Sequence, residues 1–396
     1  MKVIVAGKNN IAVDVAKALL NRDDIEGLYS IFNSNDDGVD RHQRSFKKYC
    51  LSQGIDSITL EEAYLIEGAI FLSLEFDKII EPERFIDCTL YNIHFSKLPE
   101  YKGMYTSALP IMHNKSQTGV TFHFIDSGID TGDIIYQNII DIDKDETAKS
   151  LYQKYIKYGT DIIISNFDDI LSGSCVGYRQ DSESSSYYSK KAIDYSSISV
   201  DLRKTGIEIK RMVDALTFRD YQLPSIKGIK VCGCEVLFSK SIKKPGEIVN
   251  DTDVYLILST IDYDIKLYKD NVTNLMGSVI SGDLEKTTKF INSFNVNEKD
   301  DNGWSPIIVA TYYGHLDLIK LLISFGANIN DFNRNGTTVF MYAKNYALKN
   351  HDYSYLKEII SLGADVYQKD YNELDVFDYV RMTNIKKDID FIETFR

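Results

Sequence analysis

Asn92-Ile93-His94-Phe95-Ser96-Lys97-Leu98-Pro99-Glu100-Tyr101-Lys102-Gly103, followed further along by Asp126-Ser127-Gly128-Ile129-Asp130-Thr131-Gly132-Asp133, decides how the first half of this chain is read. Each stretch taken alone is ordinary. An Asn or His in a loop is usually a turn former or a surface residue, and Asp-Thr-Gly-Asp is a turn sequence. Together they place an amide, an imidazole and a carboxylate at the ends of two strands. An amide can donate to a developing oxyanion, an imidazole can move or share a proton, and a carboxylate can fix the ring's orientation. Those are the parts an acyl-transfer site needs.

Outward from these segments the pattern is that of an α/β domain. Lys2 to Ala6, the loop Gly7-Lys8-Asn9-Asn10 and the run Ile11 to Leu20 read as strand, tight loop and helix, the Rossmann-like opening. The loop holds one glycine, so the Gly-x-Gly-x-x-Gly dinucleotide fingerprint is absent and nothing supports bound NAD. Ile25 to Phe32 and the almost wholly apolar Ala69 to Leu74 supply further strands, the latter suited to a parallel sheet covered on both faces. Tyr91 to Phe95 and Thr118 to Ile125 supply two more, each expected to end where the candidate chemistry sits, as ligands of open α/β sheets gather at strand carboxyl ends. A long helix from about Thr147 to Leu171 is expected to close the domain.

The polar run Gln180 to Ser186 has the character of a loop or linker. Beyond it come an amphipathic helix, Ile207 to Leu216, the segment Thr217 to Pro224, and short alternating strands to about Tyr268. From about Asp270 the texture changes again. Asn302-Gly303-Trp304-Ser305-Pro306, continuing through Tyr313-Gly314-His315 to Phe325-Gly326-Ala327-Asn328-Ile329-Asn330, closely resembles an ankyrin repeat. Ser before Pro is expected to cap the first helix, Gly-His to break it, and Gly-Ala-Asn to end the second helix in a turn. Further copies run from Gly282 to Asn297 and from Asn335 to Val366, and Asn372 to Tyr379 resembles a degenerate capping copy. The expected domains are 1–186, 187–269 and 270–396.

Bulk composition narrows the function. The 396 residues call for two or three domains, and 58 acidic against 45 basic residues give a net charge of −13. That balance argues against a nucleic-acid partner. The short apolar start followed by Gly7 lacks the form of a secretion signal, and no apolar run approaches membrane-spanning length, so a cytoplasmic protein with no membrane partner is expected. Five scattered cysteines suit free thiols. Cys232-Gly233-Cys234 reads as two thiols on one strand face, so no metal is expected.

The paired segments resemble the active site of formyltransferases that use N10-formyltetrahydrofolate, whose pattern Asn-x-His-x-Ser-x-Leu-Pro is completed by a distant Asp. The resemblance implies a catalytic trio of Asn92, His94 and Asp130. An amine would attack the formyl carbon, Asn92 and His94 would stabilise the oxyanion, and Asp130 would take the amine's proton through water. It places the folate against Leu74 and Phe76 of the loop Leu74-Glu75-Phe76-Asp77 and against Asp126, Gly128 and Ile129. The region from Tyr187-Tyr188-Ser189-Lys190-Lys191 onward resembles the small module that follows the catalytic domain in formyltransferases acting on nucleotide-linked amino sugars. The acceptor it implies is a dTDP-linked amino-dideoxyhexose, C3 amine over C4. Tyr221 is placed to stack on the thymine, Lys78, Lys190 or Arg219 to meet the pyrophosphate, and Asn9 to touch substrate. The fold class implied is an α/β Rossmann-like formyltransferase domain, a small mixed α/β middle module and an all-α ankyrin-repeat domain, in a homodimer serving O-antigen or other surface-polysaccharide synthesis. Two competing classes stay open, an ankyrin interaction protein with a vestigial α/β half and a formyltetrahydrofolate deformylase. Trp304, the sole tryptophan, stands near Tyr312, Tyr313 and His315 as a protein-contact residue or a second ligand site for a nucleotide sugar.

Overall fold

The computed structural model describes residues 1–196 and 198–396. Its first sheet is built from β1 (Lys2–Gly7), β2 (Gly27–Phe32), β3 (Asp56–Ser57), β4 (Ile70–Leu74), β5 (Thr89–His94), β7 (Gln117–Phe124) and β8 (Ile134–Asp141), with the two-residue β6 (Lys102–Gly103) lying outside it. The order is β3-β2-β1-β4-β5-β7-β8. From β3 to β5 every pairing is parallel. β1 and β4 are apolar and buried almost throughout, because helices cover both faces of this part of the sheet.

The last two strands run the other way. β7 is antiparallel to β5, with Tyr91 opposite Phe124 and His94 opposite Thr121, and β8 is antiparallel to β7. The carboxyl end of β7 therefore lies beside Tyr91 and Asn92 of β5, not in line with the carboxyl ends of the parallel strands. The chain leaving β7 emerges beside the start of β5, and residues 125–133 must fold back to reach it.

The expected long helix is two helices. Thr147 and Ser150 form a capping box at the start of Ala148–Ser165, and Asn166 then leaves helical geometry (φ −119°, ψ 21°) before Phe167–Ser172. Its side-chain Nδ2 donates to the Ile162 carbonyl at 2.7 Å, so the break replaces part of what the ladder loses. The longer helix buries Leu151, Tyr155, Ile156 and Ile163 against the sheet core.

By internal packing the chain divides into two compact units, 1–247 with 258–265, and 248–257 with 266–396. In the first unit, β9 (Tyr187–Tyr188) pairs in parallel with β6, and the amphipathic helix Gly206–Leu216, capped by a Thr205/Glu208 box, leads into Thr217, whose carbonyl accepts the Lys149 N–H. A second sheet is formed by β10 (Ser225–Ile226), β11 (Ile229–Lys240), β12 (Ile248–Asp251), β13 (Tyr255–Leu258) and β14 (Tyr263–Lys269), in the order β10-β11-β14-β13-β12. Cys232 and Cys234 are buried two residues apart on β11 and are joined in no disulfide.

The second unit is a stack of helix pairs. They are Val272–Ile280 with Leu284–Phe290, Pro306–Tyr313 with Leu316–Ser324, Val339–Asn350 with Tyr353–Ser361, and Val376–Met382 with Lys386–Ile392. Gly314 ends its helix in the left-handed region (φ 75°), as expected of the Gly-His break. Ser305 departs from expectation. It stands at the N-cap without capping, because its hydroxyl donates to Asp331 of the next repeat. Thr338, at the corresponding place one repeat on, does cap through the Met341 N–H.

Gly7 shows what the single glycine of the first loop is for. It pairs with Leu74 across β1 and β4, and a Cβ there would lie 2.0 Å from the Leu74 carbonyl oxygen. Replacing it forces two buried backbones apart. Gly7→Ala is expected to lower the stability of the first unit by about 2 kcal/mol or more in urea unfolding, and a loss below about 0.5 kcal/mol would show that the strands separate without strain.

Candidate active site

Asn92 and His94 lie on one face of β5, two residues apart, and Asp130 comes to them on the loop after β7. The Asp130 Oδ1 atom is 3.4 Å from His94 Nδ1 and accepts from Asn92 Nδ2, also at 3.4 Å. The trio expected from the sequence therefore converges on one carboxylate oxygen. His94 is buried, and its Nε2 donates to the Tyr101 carbonyl at 2.8 Å. A carbonyl only accepts, so that bond fixes the ring and aims Nδ1 at Asp130. The His94–Asp130 contact becomes a hydrogen bond when Nδ1 carries a proton.

Asp130 is held from behind. The Gly103 N–H donates to its Oδ2 at 2.9 Å, leaving Oδ1 with only long contacts, to Asn92 Nδ2 and His94 Nδ1 at 3.4 Å and to His123 Nε2 at 3.8 Å, and room for another donor. The residue has φ 54°, in the left-handed region that non-glycine residues enter at some cost. Gln180 stabilises this bend, its Nε2 donating to the carbonyls of both Asp130 (2.9 Å) and Gly132 (2.7 Å). A Cβ on Gly132 would lie 1.8 Å from the Phe124 carbonyl oxygen, so the loop can close only around glycine. Asp126 accepts from the Gly128 N–H and the Thr131 hydroxyl and so builds the turn itself.

His123 is a fourth member that the sequence reading passed over. It lies directly opposite Asn92 across β5 and β7, and its Nε2 stands 3.0 Å from Asn92 Nδ2. Its Nδ1 donates to the Phe124 carbonyl at 2.7 Å. It is 2 % exposed, and burial pushes its proton affinity down to about 4 against the pull of Asp130. Its signal in the sequence was the alternation of Thr121 and His123 with Val120, Phe122 and Phe124, which means little until the strand's partner and register are known.

A second polar group lies at the carboxyl ends of β1 and β4. Asn9 Nδ2 donates to Glu75 Oε2 (3.1 Å) and to the Tyr152 hydroxyl oxygen (2.7 Å), and the Tyr152 O–H donates to Glu75 Oε2 at 2.8 Å. Burial raises the Glu75 carboxyl above the usual carboxylate range, with Lys8 opposing. Tyr152 packs against Phe218 (5.5 Å between ring centres), and Tyr221 against Phe218 (4.6 Å) and His42 (4.9 Å). Asn9 and Tyr221 are thereby joined through Tyr152 and Phe218. Glu75, Tyr152, Phe218 and His42 are neighbours that the sequence did not connect.

The remaining predicted residues fall elsewhere. The Leu74 side chain is wholly buried in the core and only its carbonyl, which accepts the Lys8 N–H, faces the loop. Phe76 is half-buried against the opposite face of the sheet, in the cluster of Ile4, Ile31 and Phe71. Gly128 and Ile129 are exposed on the turn before Asp130. Arg219 is half-buried next to Asp220, which pairs with Lys149 at 3.0 Å. Lys78 and Lys190 are exposed, and the structure brings neither into hydrogen-bond contact with the trio or with Glu75. In the second unit Trp304 is half-buried, with its ring 5.2 Å from Tyr312 and 5.0 Å from Tyr342.

Residues 8–166 match the formyl transferase family, and residues 275–370 match ankyrin repeats in three copies. An N-formyltransferase from Helicobacter canadensis, solved in complex with folinic acid and dTDP-3-aminofucose, is 39% identical and superposes with a TM-score of 0.63 over 68% of this chain and 99% of its own. The chain belongs to the formyl transferase family. A sugar 3-N-formyltransferase solved with dTDP and 5-N-formyl-tetrahydrofolate is likewise similar, at 40% identity, a TM-score of 0.63, and 68% of this chain against 98% of that one. Methionyl-tRNA formyltransferase from Clostridium novyi is more distant, at 25% identity over 63% of this chain and 85% of its own. As an N-formyltransferase the chain also carries ankyrin repeats, at residues 275–370.

Neutral His123 makes a stability prediction. The unfolded enzyme's histidine takes up a proton near its ordinary value, while the folded one resists down to about 4. Between those values the unfolded state binds more protons, so stability rises with pH through the window and is lost on acidification. The wild-type enzyme should lose roughly 2 kcal/mol more than His123→Gln on going from about pH 7 to about pH 5. Equal losses in calorimetry of the two proteins would show that this ring is not held neutral.

Proposed function

We propose that this enzyme transfers the formyl group of N10-formyltetrahydrofolate to the amine of a dTDP-linked amino-dideoxyhexose, at C3 in preference to C4. The observation that carries the reading is the convergence of Asn92 and His94 on a single oxygen of Asp130, within 3.4 Å. The dTDP-3-aminofucose and sugar 3-N-formyl chemistry of the two solved relatives supports both the acceptor class and the C3 position. The net charge of −13 weighs against a tRNA acceptor. The enzyme would act in the cytoplasm as a homodimer, supplying surface-polysaccharide synthesis.

Folate would supply an activated formyl group. The loop after β7 fits such a partner, since it is locked by its own hydrogen bonds and leaves Gly128 and Ile129 exposed beside the carboxylate. Asn92 then offers an amide N–H to the oxygen that gains charge. His94, fixed by the Tyr101 carbonyl, offers Nδ1–H to the same region and returns a proton to the departing nitrogen. Oδ1 of Asp130, incompletely satisfied at rest, accepts the proton that the attacking amine sheds. The amine must be neutral to attack. At the sugar end, Tyr221 supplies an aromatic face for thymine, Asn9 with its partner Glu75 supplies polar groups for the hexose, and Lys78, Lys190 and Arg219 are the candidate pyrophosphate contacts.

The trio argues against a vestigial α/β half, and the aromatic group around Tyr221 against a deformylase whose only acceptor is water. In the repeats, the mutually inclined rings of Trp304, Tyr312 and Tyr342 form an aromatic cluster that we propose as a second ligand site for a nucleotide sugar, beside a protein-binding role for the stack. A dTDP-sugar should quench the single tryptophan, and an unchanged emission spectrum would exclude this second site.

Incubation with N10-formyltetrahydrofolate and a panel of 3-amino and 4-amino dTDP-sugars, read by product mass, tests reaction and acceptor together. Turnover of a 3-amino sugar is expected, and formate release unaffected by every sugar would favour the deformylase. Asn92→Ala is expected to lower kcat by at least about 100-fold with the fold intact, and the wild-type rate is expected to fall on the acid side. Near-normal turnover by the variant would remove Asn92 from the chemistry.

A further inference from the structure

Asn92 works only if its amide points the right way round, and the structure shows what sets that choice. We propose that His123 is a positioning residue of this site, whose bare Nε2 accepts one N–H of Asn92 and keeps the other, which at rest faces Asp130 Oδ1 across 3.4 Å, available to the reacting carbonyl. The inference deepens the formyl-transfer reading above and rests on it for the role of Asn92.

The assignment follows from groups that can act in one sense only. The Phe124 carbonyl accepts, so His123 Nδ1, 2.7 Å away, carries a proton. The Asp130 carboxylate accepts, so the end of the Asn92 amide facing it at 3.4 Å is the NH2 group. The remaining contact, Asn92 Nδ2 to His123 Nε2 at 3.0 Å, is then a bond in which Asn92 donates and the imidazole accepts. This is the uncharged ring with its proton on Nδ1. The register supports the pairing, because Asn92 and His123 are directly opposed across β5 and β7 and therefore share a face of the sheet.

Without this acceptor the Asn92 amide keeps one long contact, and its terminal torsion is soft enough to reverse. A reversed amide presents Oδ1, which repels an oxyanion. A charged His123 would produce the same reversal, since a ring donating from both nitrogens needs Oδ1 opposite it. The charged or titratable groups facing His123 are Asp130 and Asp126 on the loop after β7 and His94 on β5. The two carboxylates favour a proton on His123, while burial and His94 oppose one. Burial prevails, so the ring stays an acceptor through the range in which the amine is reactive.

Two measurements decide the matter. The first needs no substrate. With 15N-labelled histidine, NMR of the full chain should show His123 as the Nδ1–H tautomer at neutral pH, and Asn92→Ala should shift its Nε2 signal as the donor is lost. An Nε2–H or doubly protonated ring, or a signal indifferent to Asn92→Ala, overturns the pairing. The second is kinetic. His123→Phe should lower kcat about 30-fold with both KM values within about twofold, and His123→Gln, whose carbonyl can accept the same N–H, should return to within about fivefold of wild type. A ring that merely fills space would let Phe serve as well as Gln. Wild-type kcat in His123→Phe, or equal losses in both variants, overturns the positioning role, and His123→Leu replaces His123→Phe if the latter does not fold. If the wild type formylates no amino sugar, the functional reading fails by itself while the NMR result still decides the pairing.

Discussion

A single backbone N–H, that of Gly103, decides what the Asp130 carboxylate can do. By taking Oδ2 at 2.9 Å it turns the other oxygen toward Asn92 and His94, both at 3.4 Å, where it remains under-coordinated. The cost is a left-handed backbone at Asp130, offset by two hydrogen bonds from Gln180 and by a glycine at 132 that fits against the Phe124 carbonyl. Loosening any of these supports would let the carboxylate rotate to satisfy itself, and a satisfied carboxylate is a poor proton acceptor. The site is kept short of one donor by the fold around it.

The antiparallel turn of the sheet after β5 has a second consequence. It sets His123 opposite Asn92 and packs Tyr91 between Phe122 and Phe124 at ring separations of 5.0 and 5.3 Å. Those rings lie on the opposite face of the sheet from Asn92 and His123, in the hydrophobic core, and they anchor the two strands that carry the polar groups. The Glu75, Asn9 and Tyr152 group follows the opposite logic. Its members satisfy one another and lean on the rings of Phe218, Tyr221 and His42, so it presents a preorganised polar edge beside an aromatic face. The acceptor proposed above, a hexose on a base-carrying diphosphate, would call on both kinds of surface.

The repeats were the most legible part of the chain, because each one carries its own punctuation. Gly314 and the Gly326 and Gly363 turns fall where the pattern puts them, and Asn side chains link successive turns: Asn297 donates to the Gly326 carbonyl and Asn330 to that of Gly363. Contacts between neighbours in sequence are all that a solenoid requires. Where a repeat used a residue for its neighbour and not for itself, as Ser305 does toward Asp331, the local rule failed. The break at Asn166 was missed for a related reason: a side chain bonded to the backbone behind it ends a helix without any proline or glycine to announce it.

In the catalytic half, the strand order of hydrophobic runs, the tight first loop and the identities of Asn92, His94 and Asp130 were set by local sequence, since periodicity and motif spacing act over a few residues at a time. The direction of β7, the partnership of His123 with Asn92, and the joining of Asn9 to Tyr221 through Tyr152 and Phe218 were settled only in three dimensions. Each depends on which strand or helix lies beside which, at separations of 31 residues for Asn92 and His123 and 143 for Asn9 and Tyr152. A hydrogen bond between groups that far apart leaves no period in the sequence; it exists because burial drives the sheet together and buried polar atoms must then find partners.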